Sequence, residues 1–149
     1  MTRIALILLF VAGCAGRTED DVLPTPRFHP AADSALRNFP FSEAVEAGGL
    51  LHLSGQIGIL PGSTALAPGG LEGEAVQTLE NIKAILERRG SSMSKVVKCT
   101  IFLTDMAEWG RFNVIWRRYF SAPYPARSAF GATGLALGAR VEVECIATK

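Results

Sequence analysis

The sequence predicts an α+β domain in which two helices cover one face of a sheet, with the elements in the order β-β-α-β-α-β-β. Three observations support this class: short runs of alternating apolar and polar residues, two longer runs with apolar residues three and four positions apart, and glycine-rich breaks between them. Hydrophobic residues make up 48% of the 149 positions, which is enough to bury one core. We therefore expect a single domain.

The first two strands form a hairpin at the start of this domain. Residues 42–47 and 50–56 have strand character, and Gly48 and Gly49 lie between them. Two glycines suit a two-residue turn because each adopts a positive φ angle without steric cost. The next segment, 57–71, is rich in glycine and proline, so we expect a loop there.

An amphipathic helix follows over residues 73–89. Its apolar stripe consists of Val76, Leu79, Ile82 and Leu86. These residues are three and four positions apart, which places them on one helical face. Gly90 stands where a C-terminal cap is expected.

A strand over residues 95–104 and a second helix ending near Phe120 come next. The strand is rich in valine, isoleucine, threonine and phenylalanine, and Asp105 followed by Glu108 matches a capping box at the start of the helix. The apolar stripe of this helix consists of Trp109, Phe112, Ile115 or Trp116, and Tyr119. We expect the aromatic stripe to pack against the sheet rather than to hold a cofactor.

Two strands, 126–133 and 139–148, close the domain. Along the last strand, one face carries Val141, Val143 and Cys145, and the other carries Arg140, Glu142 and Glu144. Because both helices are expected on one face of the sheet, the second face needs another cover. This open face predicts self-association.

The N terminus has the features of a lipoprotein signal. Arg3 precedes an apolar run over residues 4–12, which is too short to span a bilayer. The small residues before Cys14 resemble the lipobox of bacterial lipoproteins, in which the cysteine carries the lipid. We therefore expect residues 1–13 to be a signal peptide and Cys14 to be lipidated. An ordinary cleaved secretory signal and an accidental apolar N terminus are the alternatives.

The segment after this cysteine predicts a flexible spacer over residues 14–38. It carries Pro24, Pro26 and Pro30 among polar and charged residues, without a sustained apolar period. The folded domain then spans residues 39–149. This arrangement predicts an exported protein, periplasmic or on the cell surface, that contacts a membrane only through its N-terminal lipid. Without a functional signal the protein would be cytoplasmic.

Charge and motifs argue against several functional classes. The formal net charge is +1 and there is no basic stripe with interleaved aromatic residues, so we expect no nucleic-acid partner. His29 and His52 have no further ligands at metal-binding spacing, and the glycine motifs of nucleotide-binding loops are absent from the sequence. We therefore expect neither a metal nor a cofactor. Cys99 and Cys145 lie in apolar alternating runs, where two buried thiols or a disulfide would both fit.

Arg127 and Glu142 are the candidate residues for chemistry. An arginine binds a carboxylate with both arms of a planar, permanently charged fork, and a neighbouring glutamate can hold a water molecule for attack. A solvated outer face with charge pairs is the alternative interpretation of the glutamate. The segment Ser54-Gly55-Gln56 ends the second strand, where a residue without a side chain lets a ligand approach the backbone.

Six motifs in a fixed order carry a resemblance to a known family. They are Leu53-Ser54-Gly55-Gln56-Ile57, Thr78-Leu79-Glu80-Asn81-Ile82-Lys83, Val97-Lys98 followed by Thr100-Ile101-Phe102, Asn113 before Tyr119-Phe120, Pro125-Ala126-Arg127-Ser128, and Val141-Glu142-Val143-Glu144 followed by Ile146-Ala147. From about Phe39 to the C terminus, the chain resembles the RidA/YjgF/YER057c family.

This resemblance implies a chorismate-mutase-like fold, a homotrimer whose sheets form a central barrel, and ligand clefts between subunits. It also implies hydrolysis of enamine and imine intermediates, of the 2-aminoacrylate and 2-iminopropanoate type, to 2-keto acids and ammonia. The partner is then a small substrate that carries a carboxylate, and the reaction uses no cofactor.

The resemblance further implies roles for individual residues. Arg127 binds the substrate carboxylate, Glu142 positions the attacking water, and Gly55 offers its backbone to the substrate. Glu144 shares the face of Glu142 and is the less favoured candidate. The wall of the pocket is implied to include Ser54, Gln56 and Asn113.

Two positions depart from the pattern of the family's deaminases. Phe41 follows Pro40 where these members often have Pro-Tyr, and Ala129 stands in the substrate-binding region where they often have cysteine. Both changes make the pocket less polar while they leave Arg127 and Glu142 in place. The alternative function is a non-catalytic protein of the same fold that binds small carboxylates or acts as a scaffold in the cell envelope. An isomerase of the chorismate-mutase kind rests on the shared architecture alone.

Overall fold

A computed structural model describes residues 25–149, in which one sheet is covered on one face by two helices. The strands are β1 (Arg27–Pro30), β2 (Ser42–Ala47), β3 (Leu50–Leu53), β4 (Gln56–Ile57), β5 (Val96–Leu103), β6 (Ala126–Gly131) and β7 (Val141–Thr148). The helices are α1 (Gly70–Arg88) and α2 (Trp109–Tyr119). The strand order is β1-β2-β3-β7-β5-β6, with β4 also paired to β7. The predicted α+β class is confirmed.

The predicted hairpin is present as β2 and β3. Gly48 has φ 56° and Gly49 has φ 76°, the two positive values that a type I′ turn requires. The second strand is shorter than predicted, because β3 ends at Leu53 and the chain pairs again only at β4. This interruption places Gly55 in a gap between two strands that both pair with β7.

The segment predicted as a spacer contains a strand, so the boundary at residue 38 requires correction. β1 pairs antiparallel with β2 at the edge of the sheet, and its register shifts between His29 and Pro30. Proline is tolerated there because an edge strand leaves one row of backbone groups unpaired. The residues after β1 are fixed by buried Glu43. Its carboxylate accepts a hydrogen bond from the Ala32 backbone (3.1 Å) and further hydrogen bonds from two arginines at the end of α1. The predicted signal peptide and Cys14 lie outside the described residues.

Both helices begin and end close to the predicted positions. Gly90 has φ 77° directly after Arg89, the C-cap residue of α1, as expected of a glycine that ends a helix. α2 is preceded by a 3₁₀ turn, where the Asp105 carboxylate accepts a hydrogen bond from the Ala107 backbone at 2.9 Å. The predicted capping box is not formed, because the Glu108 carboxylate instead accepts hydrogen bonds from Arg111 and Arg140.

The core lies between the helices and one face of the sheet. Apolar side chains of β5 and β7, including Ile101, Val141 and Val143, are fully buried there. Phe112 and Trp116 of α2 are also buried, which confirms that the aromatic stripe packs against the sheet. The opposite face carries partly exposed groups, among them a stacked pair of phenylalanines from β5 and β6. No helix among residues 25–149 is long and apolar enough to cross a membrane.

A disulfide joins Cys99 of β5 to Cys145 of β7. The two residues are direct partners in the antiparallel register, with their Cα atoms 4.1 Å apart, and both are buried beneath the helices. Of the two arrangements that the sequence leaves open, the structure has the disulfide. The bond spans 46 residues of sequence, so it restricts a long loop of the unfolded chain.

Reduction of this disulfide is expected to lower the free energy of unfolding by about 2–4 kcal/mol, because the reduced unfolded chain regains the entropy of that loop. The measurement is urea denaturation of the oxidised protein and of the same protein held reduced. A Cys99→Ala/Cys145→Ala variant serves as the control, since reductant should leave its midpoint unchanged. Equal midpoints for oxidised and reduced wild-type protein would contradict a stabilising role.

Candidate functional site

Arg127 lies on β6, at the edge of the sheet, and its side chain turns towards α2. Its guanidinium carbon is 4.4 Å from the ring centroid of Trp109 and 4.9 Å from that of Trp116. A flat, weakly hydrated guanidinium stacks well on aromatic faces, at a gain of about 0.5–2 kcal/mol per contact. The two tryptophans therefore hold the cation in place without using its hydrogen-bond donors.

Arg127 and Asn113 both line a cleft of about 410 Å³. The Nη1 atom of Arg127 and the Oδ1 atom of Asn113 are buried without a hydrogen-bond partner. Burial, with a smaller contribution from the nearby charge of Arg117, lowers the pKa of Arg127, but an arginine keeps its positive charge in proteins. The permanent charge of Arg127 at the wall of this cleft suits an anionic group such as a carboxylate.

Glu142 lies on β7 and points to the sheet face opposite the helices. Its half-buried carboxylate rests against Gly55, where an added Cβ atom would overlap Oε1. Burial raises the pKa of Glu142, and the neighbouring charge of Glu144 raises it further. A carboxylate with a raised pKa is a better proton acceptor than an ordinary glutamate, which suits a general base.

The other predicted residues of this segment support its backbone. The Ser54 hydroxyl donates to the Ser42 carbonyl at 2.6 Å, which fixes the end of β3 against β2. The Gln56 side chain is buried and donates to the carbonyls of Ser54 and Gly55, both at 3.1 Å. The side chains of Ser54 and Gln56 therefore hold Gly55 beside Glu142.

The predicted site residues fall into two groups within one chain. Asn113 and Arg127 line one cleft, whereas Gly55, Gln56 and Glu142 line a second cleft of about 160 Å³, and the two clefts share no residue. We call them the arginine cleft and the glutamate cleft. Ala129 lies on the same face of β6 as Arg127, packs against the core, and lines neither cleft.

The sequence does not indicate several residues in and around these clefts. The apolar stripe predicts Trp109 and Trp116 as core residues, and nothing in their spacing indicates that Arg127 lies over them. Nor does any motif indicate that Phe39 and Leu137 line the glutamate cleft. Leu137 has a positive φ angle and precedes Gly138, but a leucine before a glycine is too common in sequences to indicate a site.

The raised pKa of Glu142 leads to a stability prediction. A folded-state pKa above the unfolded value means that ionisation costs stability at neutral pH, and that the cost disappears as the pH falls below the ordinary value of 4.5. Glu142→Gln is therefore expected to unfold at a higher denaturant concentration than wild type at pH 7, and the gain should vanish in acid. Glu87→Gln, at an exposed position of α1 on the opposite side of the sheet from Glu142, is the control, and its midpoint should stay close to that of wild type at both pH values.

Residues 25–149 contain no group of three or more histidine, cysteine, aspartate or glutamate side chains that could hold a metal ion. The arginine cleft and the glutamate cleft consist instead of two arginines, one carboxylate, two side-chain amides, one tyrosine hydroxyl and apolar walls. This set of groups can bind a small carboxylate, and its one glutamate can accept and return a proton.

Comparison with known proteins identifies the family. A family model described as Endoribonuclease L-PSP matches residues 32–149. The chain belongs to this family, RidA/YjgF. A mouse member, named 2-iminobutanoate/2-iminopropanoate deaminase, is 42% identical over 110 residues, which cover 74% of this chain and 82% of the mouse protein. The human protein of the same name is 39% identical over 108 residues, which cover 72% of this chain and 79% of the human protein.

A solved structure of RidA from the Antarctic bacterium Psychrobacter superposes with a TM-score of 0.72 at 37% identity, covering 81% of this chain and 94% of the other. The RidA/YjgF fold is thus the fold of this chain, as the sequence motifs predicted. The family match begins at residue 32, before the predicted boundary at 39.

Proposed function

We propose that this RidA/YjgF protein hydrolyses small 2-imino acids and their enamine tautomers to 2-keto acids and ammonia. The observation that carries the proposal is the guanidinium of Arg127, which stacks on Trp109 and Trp116, has no hydrogen-bond partner for its Nη1 atom and lines a cleft together with Asn113. The deaminase names of the mouse and human relatives support the same chemistry.

The proposed reaction adds one water to the C=N bond and releases one ammonia. Arg127 holds the substrate carboxylate, which orients C2 of the imino acid. Glu142 accepts a proton from a water molecule while the water oxygen bonds to C2, and the imine nitrogen takes up a proton from solvent. Glu142 then returns its proton to the nitrogen of the carbinolamine, the C2–N bond breaks to release ammonia, and the hydroxyl gives its proton to solvent as it becomes the keto oxygen.

This mechanism uses an arginine cleft and a glutamate cleft that come from different subunits. Within one chain, Arg127 faces the helix side of the sheet and Glu142 faces the other side. The family resemblance supports a homotrimer with clefts between subunits. The exposed edge of β6 and the open sheet face are surfaces that such an assembly would cover.

The proposal also states that the partner is a small carboxylate rather than a nucleic acid, and that the protein is exported. A formal net charge of +1 favours a small carboxylate over an RNA chain, which would require several cations to neutralise its phosphates. The Cys99–Cys145 disulfide supports export, because disulfides persist in oxidising compartments. Export with lipidation at Cys14 would leave the N-terminal lipid as the only membrane contact.

The test generates 2-iminopropanoate from alanine with an amino-acid oxidase, in the presence of semicarbazide as a trap for the imine. If the purified protein is a deaminase, it consumes the imine and slows formation of the semicarbazone in proportion to its concentration. Binding of 2-ketobutyrate without any effect on the imine would favour the non-catalytic alternative. An absence of both binding and turnover would refute the proposal.

A further inference from the structure

The glutamate cleft has an apolar wall made of three exposed side chains. Phe39, Phe41 and Leu137 are 46%, 42% and 53% exposed, and all three line the cleft that contains Glu142. The ring centroids of the two phenylalanines are 6.4 Å apart, so they form one continuous surface. Single exposed hydrophobic residues are normal on a protein surface. Three large apolar side chains exposed together beside one acidic residue form a patch, and such patches mark contact sites.

The backbone at Leu137 is strained. Its φ of 57° and ψ of 17° lie in the left-handed region, which is unfavourable for a residue with a Cβ atom. A glycine or an asparagine would adopt this conformation more readily. The chain instead has a leucine here, and its side chain is more than half exposed in the cleft. A strained, exposed, apolar residue is typical of a position where the side chain contacts a ligand.

The two clefts differ in chemistry. The arginine cleft contains two arginines and an amide, together with the Tyr124 hydroxyl. In the glutamate cleft, Glu142 is the one charged residue and Gln56 is the one polar side chain among the lining residues. The remaining lining residues are a glycine and apolar residues, among them Phe39, Phe41 and Leu137.

A 2-imino acid has one group suited to each cleft, because its carboxylate suits the arginine cleft and its side chain suits the apolar glutamate cleft. Its C2 atom carries the carboxylate, the imine nitrogen and the side chain in three directions within one plane. If Arg127 holds the carboxylate and Glu142 directs water to C2, the side chain extends away from Arg127, along the wall of the glutamate cleft. A larger apolar side chain therefore gains contact there, whereas the methyl group of 2-iminopropanoate reaches little of the wall.

We propose that the preferred substrates are 2-imino acids with large apolar side chains, of the branched aliphatic or aromatic class, and that Phe39, Phe41 and Leu137 select them. This inference rests on the proposed function. It names the substrate class of the same site, and it separates this chain from an enzyme specialised for three- and four-carbon imines.

The test compares kcat/KM for the imines of leucine and phenylalanine with kcat/KM for the imine of alanine, each generated by an oxidase and trapped as above. A hydrophobic pocket discriminates by about tenfold or more for such additions of methylene groups, so the leucine-to-alanine ratio is expected to be about ten or higher. Phe41→Tyr adds a hydroxyl to the same ring, and Leu137→Asn keeps a side chain that tolerates the left-handed backbone. Both substitutions should lower the ratio several-fold.

Phe28→Ala is the matched control, because Phe28 is 69% exposed on β1 and does not line the cleft. Its ratio should equal that of wild type. A ratio of one or less in a protein that turns over the alanine imine would overturn this inference and leave the proposed function standing. Failure to hydrolyse any imine would count against the proposed function itself. Variants that keep the ratio but change the sedimentation mass would show that the wall is a subunit interface, which also overturns the inference.

Discussion

Replacement of Arg127 by alanine is expected to reduce kcat/KM for 2-iminopropanoate on the order of 10²–10³-fold, because the carboxylate of the bound substrate then loses its charged partner. Arg127→Lys keeps the charge but loses the planar fork and its stacking on Trp109 and Trp116, so it should recover only part of the activity. The measurement is the imine-trapping assay, with urea denaturation to establish that each variant is folded. Arg118→Ala, on the exposed side of α2 and outside the cleft, should match wild type.

Mixed trimers test whether Arg127 and Glu142 act across subunits. Arg127→Ala and Glu142→Gln each inactivate every site of a uniform trimer. In a trimer that contains both variants, one of the three sites combines an intact arginine from one subunit with an intact glutamate from the next. Unfolding and refolding an equal mixture should therefore restore about a quarter of wild-type activity. If both residues of a site belong to one subunit, the mixture should remain as inactive as its components.

Gly55→Ala is expected to reduce kcat about 100-fold, because the new methyl group would occupy the space of the Glu142 carboxylate and displace it. The φ angle of Gly55 is not positive, so alanine is compatible with the backbone and the fold should persist. The assay is kcat for 2-iminopropanoate, together with the affinity for 2-ketobutyrate. Because the keto acid is held through Arg127, its dissociation constant should change much less than kcat.

Gly134→Ala is the matched control for this substitution. Gly134 is exposed, its φ is not positive, and an added Cβ atom would meet no other atom within 4 Å. Its kcat should therefore equal that of wild type. If Gly55→Ala also retained full kcat, the position of the Glu142 carboxylate against Gly55 would be irrelevant to the chemistry.

Most of the fold could be predicted because most of its helices and strands each follow from the pattern of apolar residues within one short segment. The hairpin around Gly48 and Gly49, α1 with its cap at Gly90, and the alternation along β7 each depend on neighbouring residues. β1 could not be predicted in this way, because its four residues include a proline and are mostly exposed. Its pairing depends on β2 and on the contacts of Glu43 with distant arginines, which no local pattern reveals.

The candidate site was only partly predictable for the same reason. The Arg127 and Glu142 motifs are visible in the sequence. The sequence does not indicate that Trp109 and Trp116 cover the guanidinium, because the same stripe also suits a buried helix face. The pairing of Cys99 with Cys145 depends on the register of β5 against β7, which is a tertiary property.

The disulfide also affects what a protease can do to this protein. The chain between Cys99 and Cys145 contains Asn113, Arg127 and Glu142, together with an exposed stretch around Gly134. A cut within that stretch would leave both fragments covalently attached to each other. A nicked molecule would thus keep every proposed catalytic group on one covalent unit and would separate into two bands only on a reducing gel.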